Sequence, residues 1–172
     1  MADYLFDDAC WYTSGDTWAR PMENGHIQFG ISDFAQKQLK EIVYLDLPQE
    51  GDLVVQADSL GEIESRKALS QLISPVSGTV VEINQAATDD PALLNRDSYV
   101  AGWILKIACP DWDEQKTHLL NAEEYKKLIE KKTEKNNLQG AGPVMVAAPF
   151  AKKGINNGGF PIDCDWRRTW WL

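Results

Sequence analysis

The sequence predicts a mainly β protein with short helices, built as a small flattened barrel that a C-terminal extension follows. Between residues 41 and 102, short runs rich in Val, Ile and Leu alternate with turns marked by Gly and Pro. Within this stretch Pro48–Val55 resembles Pro75–Glu82, so two similar hairpin units are predicted to form the two halves of the barrel. Clear helix signals occur only before and after this region.

The N-terminal part is predicted to contribute strands at the edge of the fold. Residues 1–20 place Trp11, Tyr12 and Trp18 among acidic and small residues, a pattern typical of an edge strand or of a strand entering the core. Ile27–Ile31 alternates apolar with small or polar residues, which predicts a second strand.

A short helix is predicted directly after this strand. The Ser32 hydroxyl can act as N-cap for a helix over Asp33–Lys40, in which Ala35 and Leu39 share one face. After this helix the chain reads as five short strands, which span residues 41–47, 51–57, 61–65, 68–74 and 78–83.

The clearest helix begins after Asn121. Asn121 caps it, Glu124 completes a capping-box-like pair, and an apolar stripe faces the core at Tyr125, Leu128 and Ile129. Beyond Lys132 the composition shifts to Gly, Asn and Pro, which predicts a domain over 1–132 and an extension over 133–172. Because large aromatic side chains are costly to leave in water, the extension is expected to pack on the domain through its tryptophans, Trp166, Trp170 and Trp171.

Composition limits the function classes. The 172 residues suit one compact domain, and their net charge of −9 disfavours binding to nucleic acid or to anionic membrane. Partners with basic docking surfaces and ordinary solubility explain this charge equally well. No apolar run is long enough to span a bilayer, and the start of the chain is acidic where a secretory signal is basic, so a cytoplasmic location is expected.

The cysteines and histidines do not indicate a metal site or a disulfide framework. Three cysteines without CxxC spacing and two isolated histidines, His26 and His118, lack the ligand grouping that a metal needs. Cys10 and Cys164 each lie near a tryptophan and could serve as redox partners, but neighbouring carboxylates raise a thiol pKa, which favours a structural role for both. For Cys109 a structural role is expected more strongly. No convergent set of acid, base and nucleophile indicates an enzyme.

The most informative segment is Gly61–Ala68, a charged turn between two strand-like runs. A lysine at a hairpin tip, here Lys67, points into solvent and can be acylated by a modifying enzyme, and the resulting arm can move among separate active sites. The local residues alone favour an ordinary surface lysine.

The wider sequence resembles the glycine cleavage H-protein family. Glu64-Ser-Arg-Lys67-Ala68 is similar to the family's lipoyl-attachment motif Glu-Ser-Val-Lys-Ala, with Gly61 six residues before the lysine and Gly78 eleven after it. Further matching blocks follow in the same order over roughly residues 16–130, at 29–36, 44–51, 74–78, 81–84 and 102–106.

The resemblance implies a lipoyl-domain-like barrel-sandwich hybrid of the H-protein type, with lipoate joined to Lys67 by a covalent amide. It implies a carrier rather than an enzyme, loaded by a lipoate ligase or transferase that recognises Glu64, with Ala68 shaping the turn. Gly61 and Gly78 are expected to serve turn geometry. Dihydrolipoamide dehydrogenase is a further expected partner.

Three departures from the family pattern raise the question of which system the carrier serves. The chain continues about forty residues past the usual end, Asp16-Thr-Trp18 stands for His-Glu-Trp, and Arg66 replaces the Val before the lysine. These departures favour the related lipoate-binding proteins of sulfur oxidation, which work with a heterodisulfide reductase-like complex. The alternative is an H-protein that carries the aminomethyl group among the glycine cleavage enzymes.

Overall fold

The computed structural model describes residues 3–139, and residues 140–172 lie outside that range. The predicted packing of the extension, with Cys164 and the three tail tryptophans, falls on residues outside it. The strands are β1 (Trp11–Tyr12), β2 (Thr17–Pro21), β3 (His26–Ile31), β4 (Ile42–Asp46), β5 (Leu53–Val54), β6 (Ser59–Ser65), β7 (Leu69–Ile73), β8 (Gly78–Ile83) and β9 (Leu105–Ala108). The α-helices are α1 (Asp33–Leu39), α2 (Gln85–Asp89), α3 (Leu93–Arg96), α4 (Trp112–Gln115) and α5 (Ala122–Gln139), and a 3₁₀ turn spans Lys116–His118.

The strands form two antiparallel sheets. The large sheet has the order β1-β2-β3-β9-β8-β5, and the small sheet has the order β4-β6-β7. Most of the buried apolar side chains of the two sheets belong to one cluster, and Tyr12 and Trp18 of the large sheet belong to a second. The first cluster includes Phe29 and Ile107 from the large sheet and Leu45, Ile63 and Leu72 from the small one. Because both sheets bury one face against the same core, the other face of the small sheet is left to solvent.

The predicted strands and first helix are confirmed, with shorter limits in places. The first aromatic pair forms β1, the edge strand of the large sheet, as the N-terminal pattern indicated. Ser32 caps α1, since its Oγ accepts a hydrogen bond from the Ala35 N–H. The run 51–57 forms only the two-residue strand β5, because β5 meets β8 only over Leu53 and Val54.

The repeat is present, but its units are not hairpins. Each repeated segment contains one strand, β5 or β8, which lies in the large sheet, and the strand before it, β4 or β7, lies in the small sheet. Thus β4 does not pair with β5, nor β7 with β8. The strands of the two repeated segments, β5 and β8, instead pair with each other. The prediction of two hairpin halves was therefore wrong in its pairing, because sequence similarity does not reveal which strands exchange hydrogen bonds.

Two glycines expected in turns lie within strands. A Cβ added at Gly61 in β6 would fall far inside contact distance of the Asp46 carbonyl oxygen, and one added at Gly78 in β8 would do the same to Ala108. These positions need glycine because a neighbouring backbone passes close by, and not because of a turn. Among the glycines of the described residues, the positive φ angles occur at Gly25 and Gly51.

The C-terminal helix begins as predicted and continues further. The Glu124 N–H donates to Asn121 Oδ1 over 2.9 Å, and the Asn121 N–H donates to Glu124 Oε2 over 3.0 Å, which completes a capping box. Tyr125 and Ile129 are buried. The helix runs through Gln139, past Lys132, where the composition was predicted to change. Four of the seven added residues, Glu134, Lys135, Leu138 and Gln139, favour helix and outweigh Thr133 and two asparagines.

The aromatic side chains around α1 and α5 form a second buried cluster. The Tyr12 and Tyr125 rings stack with centroids 4.3 Å apart, and Phe34 of α1 packs edge-on against Tyr4. The sequence did not indicate α2, α3 or α4, whose four or five residues are too short to show a helical period. Among the described helices, none is long and apolar enough to cross a bilayer.

Candidate functional site

Lys67 lies at the tip of the hairpin formed by β6 and β7. Glu64 and Leu69 are the last paired residues of the two strands, so the loop consists of the four residues between them. The Lys67 side chain is exposed and takes part in none of the ion pairs or side-chain hydrogen bonds of residues 3–139. Its amine is therefore accessible to a modifying enzyme.

Ser65 organises the loop that carries this lysine. Its hydroxyl oxygen accepts hydrogen bonds from the N–H groups of Lys67 over 3.2 Å and Ala68 over 3.0 Å, and the hydroxyl donates to the Ala68 carbonyl over 3.1 Å. The Ser65 N–H donates to the same carbonyl over 2.9 Å. Ser65 is 6% exposed, so these bonds form largely away from water and fix the loop locally. Ala68 contributes its backbone N–H and carbonyl to these bonds.

Arg66 ties the loop to the rest of the fold. Its N–H donates to the Glu41 carbonyl over 3.1 Å, and its Nε lies 3.0 Å from Glu41 Oε2. Glu41 directly precedes β4, so these two contacts hold the tip against the first strand of the small sheet. Both side chains are more than half exposed, so the ion pair itself adds little stability, and the contacts mainly orient the loop.

Glu64 stands on the exposed face of the small sheet, beside the tip. It is paired with Tyr44 of β4 on one side and with Leu69 of β7 on the other, and all three side chains are exposed. The Glu64 carboxylate therefore lies three residues before Lys67, in the same cross-strand row as the Tyr44 and Leu69 side chains. It makes no ion pair among residues 3–139, which leaves it free to contact another protein.

A pocket lies beside the lysine hairpin. It has a volume of about 130 Å³, and its walls come from β6, β7, β3, α1 and the turn before β2. Most of the residues that line it are apolar or small, including Ile31, Ala35, Leu39, Ile63 and Leu72. Ser70 of β7, three residues after Lys67, also lines it, so the pocket begins roughly 10 Å along the strand from the lysine.

Asp16 lies at the edge of this pocket and is bound by the C-terminal helix. Its Oδ1 accepts hydrogen bonds from Lys132 Nζ over 2.6 Å and from the Tyr125 hydroxyl over 3.0 Å. Burial, reinforced by the adjacent Asp16 charge, raises the pKa of Tyr125, so this hydroxyl remains a donor at neutral pH. The Tyr125 oxygen also lies 2.7 Å from Ser32 Oγ, which connects the cap of α1 to α5.

The cysteines among the described residues, Cys10 and Cys109, are both buried. Cys10 belongs to the aromatic cluster, and burial raises its pKa to about 12, which disfavours the thiolate. Burial likewise raises the pKa of Cys109 in the main core. Within residues 3–139, there is no group of three or more potential metal ligands, and His26 Nδ1 lies 3.2 Å from Asn24 Nδ2.

The sequence did not identify all residues that shape the site. Ser65 was part of the motif, but its hydrogen bonds were not predicted, although Ser at the start of a tight loop often bonds to the backbone two or three residues later. The contact of Arg66 with Glu41 could not be found, because the two residues are distant in sequence. Tyr44 and Leu69 join the site only through strand register.

Comparison with known proteins gives a consistent result. The family model described as "Glycine cleavage H-protein" matches residues 10–132. The chain is similar to the probable glycine cleavage system H protein of Thermococcus gammatolerans, with 41% identity over 130 residues, which are 76% of this chain and 96% of that protein. It is also similar to glycine cleavage system H protein 4 of Aquifex aeolicus, with 42% identity over 138 residues, 78% of this chain and 80% of that protein.

A solved structure supports the same conclusion. The glycine cleavage system H protein from Mycobacterium marinum superposes with a TM-score of 0.62 at 35% identity, over 69% of this chain and 94% of that one. The predicted barrel-sandwich fold is thereby confirmed. All three named relatives are glycine cleavage proteins, so the comparisons support the alternative interpretation and do not support the sulfur-oxidation role that the sequence departures favoured.

Proposed function

The chain belongs to the glycine cleavage H-protein family, whose members are lipoate carriers and not enzymes, and we propose that Lys67 is its lipoyl-attachment residue. The observation that carries the proposal is the exposed Lys67 side chain at the tip of an ordered hairpin. A carrier needs an accessible amine on a rigid support, because its arm has to enter the active sites of other proteins.

The residues around Lys67 suit amide formation at its Nζ. Once deprotonated, this amine can attack the carboxyl carbon of lipoate that a ligase or transferase has activated, so that a C–N bond forms and the activating group leaves. Ser65 and Arg66 hold the loop during this step, since both are bonded to backbone groups nearby. Glu64 is proposed to give the modifying enzyme a charged contact three residues before the target.

The pocket beside the hairpin fits the free end of a lipoyl arm. When bound, lipoate supplies a disulfide that opens to two thiols and exchanges a carried group. The apolar walls at Ile31, Ile63 and Leu72 can shelter such a sulfur-containing ring from water, and Ser70 places the pocket within reach of an arm rooted at Lys67. Asp16, fixed by Lys132, closes one edge of the pocket with a charge.

The proposed partners follow from the family. In the cytoplasm, a lipoate ligase or transferase would load Lys67, and the glycine cleavage enzymes would exchange the aminomethyl group with the arm. Dihydrolipoamide dehydrogenase would return the arm to its disulfide form. A heterodisulfide reductase-like complex is not favoured, since the similar proteins identified above are named for glycine cleavage.

Mass spectrometry tests the attachment. The chain is treated with lipoate, ATP and a lipoate ligase, then analysed as intact protein and as peptides. We expect the mass of one lipoyl group, confined to the peptide that contains Lys67, and no gain in Lys67→Ala. Lys126→Ala, which removes an exposed lysine on α5, is the matched control and should gain the same mass. A lipoyl group on another lysine, or none with an active ligase, would overturn the proposal.

A second measurement tests the cargo. Lipoylated protein is incubated with glycine and a pyridoxal-phosphate glycine decarboxylase, and carbon dioxide release is followed. We expect release that depends on the lipoyl group at Lys67. A lipoylated chain that supports no release would remain a carrier but would contradict the glycine cleavage role.

A further inference from the structure

The exposed face of the small sheet combines apolar and acidic residues in an ordered block. Two neighbouring cross-strand rows share this face, Tyr44–Glu64–Leu69 and Asp46–Glu62–Gln71. The first row contains two large apolar residues that are more than half exposed, Tyr44 at 57% and Leu69 at 61%. The second row is polar. We call this block the outer face, and its six residues are Tyr44, Glu64, Leu69, Asp46, Glu62 and Gln71.

The outer face has a strong charge imbalance. Three of its six residues are carboxylates and none is a cation. Asp46 and Glu62 are cross-strand neighbours of like charge, and neither is part of an ion pair among residues 3–139. Like charges placed opposite each other cost stability in a sheet, and no cation of the outer face offsets this pair.

A second apolar feature continues from the outer face, away from Lys67. Leu60 lies two residues before Glu62 on β6 and lines a pocket of about 290 Å³. Leu53 and Val55 line the same pocket and are 81% and 55% exposed. Its other lining residues include Asp52 and Asp58 and no cation. From Glu64 to Leu60 the surface extends roughly 13 Å along one strand.

We propose that the outer face and this pocket form the docking surface for the glycine decarboxylase, the enzyme that transfers the aminomethyl group to the lipoyl arm. The inference rests on the proposed function. The enzyme surface that fits carries Lys or Arg side chains opposite Asp46, Glu62 and Glu64, together with an apolar side chain that enters the pocket beside Leu53.

Charge decides among the possible occupants. A second copy of this chain would bring the same carboxylates and a net charge of −9, so it would be repelled. An acidic or neutral protein would leave the carboxylates without partners. A basic enzyme surface gains from all three, and complementary charges of this kind mainly speed association and fix the register of docking. Because the face starts at the hairpin of Lys67, an enzyme seated on it has its active site near the root of the arm.

The experiment compares two kinds of variant with matched controls. Asp46→Lys/Glu62→Lys reverses two charges on the outer face, and Glu23→Lys/Glu130→Lys makes the same change in net charge at exposed sites elsewhere. Leu53→Ser removes the most exposed apolar side chain of the pocket. Val100→Ser is its control, since Val100 is 70% exposed and lies outside both features.

Two quantities are measured with purified glycine decarboxylase at low and at high salt. The first is KM and kcat for each lipoylated variant. The second is the inhibition constant of each unlipoylated variant against the lipoylated wild-type chain, which reports docking without the arm. Intact mass confirms that each variant used as substrate is fully lipoylated.

We expect the charge reversal to raise KM and the inhibition constant at least fivefold at low salt, with kcat unchanged and a smaller effect at 0.5 M salt, because salt screens exposed charges. We expect Leu53→Ser to raise both constants about threefold at either salt concentration, as loss of an apolar contact would. Both control variants should behave as wild type.

The proposal is overturned if the face variants match their controls, or if the unlipoylated wild-type chain does not inhibit. It is also overturned if the charge reversal slows only lipoylation, because the surface would then belong to the ligase. Failure of Lys67 to accept lipoate contradicts the proposed function instead, and the inhibition measurement still tests docking in that case.

Discussion

Removal of the Ser65 hydroxyl is expected to loosen the loop that carries Lys67 without unfolding the protein. Ser65→Ala deletes the acceptor of two backbone N–H groups, those of Lys67 and Ala68, and one donor to a carbonyl that keeps its bond from the Ser65 N–H. The change adds no bulk, so its effect comes from the lost hydrogen bonds.

The magnitude follows from where these bonds lie. A hydrogen bond within a protein contributes about 0.5–1.5 kcal/mol net, and the lower end applies here because water can reach both N–H groups once the exposed loop opens. Two accepted bonds then amount to about 1 kcal/mol, a factor of roughly five in the opening equilibrium of the loop. Ser65 is buried, but the change deletes a single oxygen atom, so the cavity that it leaves is small and adds little.

Amide hydrogen exchange measures this opening directly. We expect the Lys67 and Ala68 amides to exchange about fivefold faster in Ser65→Ala, while the core strands change by no more than the small loss of global stability. Ser70→Ala is the control, since Ser70 lies on the same hairpin and makes no side-chain hydrogen bond within residues 3–139. Equal exchange in the two variants would refute the role given to Ser65.

Three further outcomes are expected. Gly61→Ala should lower the free energy of unfolding by about 2 kcal/mol in denaturant titrations, because the added methyl group meets the Asp46 carbonyl and β4 has to move; an unchanged midpoint would contradict that close contact. The N–H of Ala101 lowers the pKa of Asp97, burial opposes this effect, and the N–H groups of Val100 and Tyr99 lower the pKa further. The stability that Asp97 contributes is therefore fully present above the unfolded-state pKa of about 3.9, and it is lost as the pH falls through the lower pKa of the folded state. Asp97→Asn should therefore lose less stability than wild type between pH 5 and pH 2, and parallel curves would exclude this linkage. Cys10, whose pKa burial raises to about 12, should react with iodoacetamide at pH 8 only as fast as the protein opens. Peptide mapping identifies the labelled cysteine, and rapid labelling of Cys10 in the native protein would contradict its burial.

Much of the fold was predictable from local signals. Strand positions followed from alternation and from turn residues, and both capping interactions, at Ser32 and Asn121, were correct because they depend on residues three apart in sequence. Strand pairing was not predictable in the same way. The exchange of strands between the two repeat units, and the backbone contact at Gly61, depend on residues that meet only in three dimensions.

The candidate site was predictable in its centre and not in its surroundings. The motif around Lys67 indicated an exposed lysine, and the structure places that lysine at a hairpin tip. The cross-strand row of Tyr44, Glu64 and Leu69 depends on register across three strands, which no single-sequence pattern specifies. The pocket draws its walls from five separate segments and was not predicted at all.

The departures from the family motif have explanations within this chain. Arg66 stands where the family has a valine, and its charge is paired with Glu41 of the same chain, so no partner protein is needed to explain it. Asp16, in the altered first block, accepts hydrogen bonds from Lys132 and Tyr125 of α5, so its carboxylate also has partners inside the fold. A substitution that is compensated by internal contacts carries no information about which enzymes the protein meets. The outer face differs, because none of its three carboxylates forms an ion pair within residues 3–139, and a change of partner is therefore expected to alter these residues first.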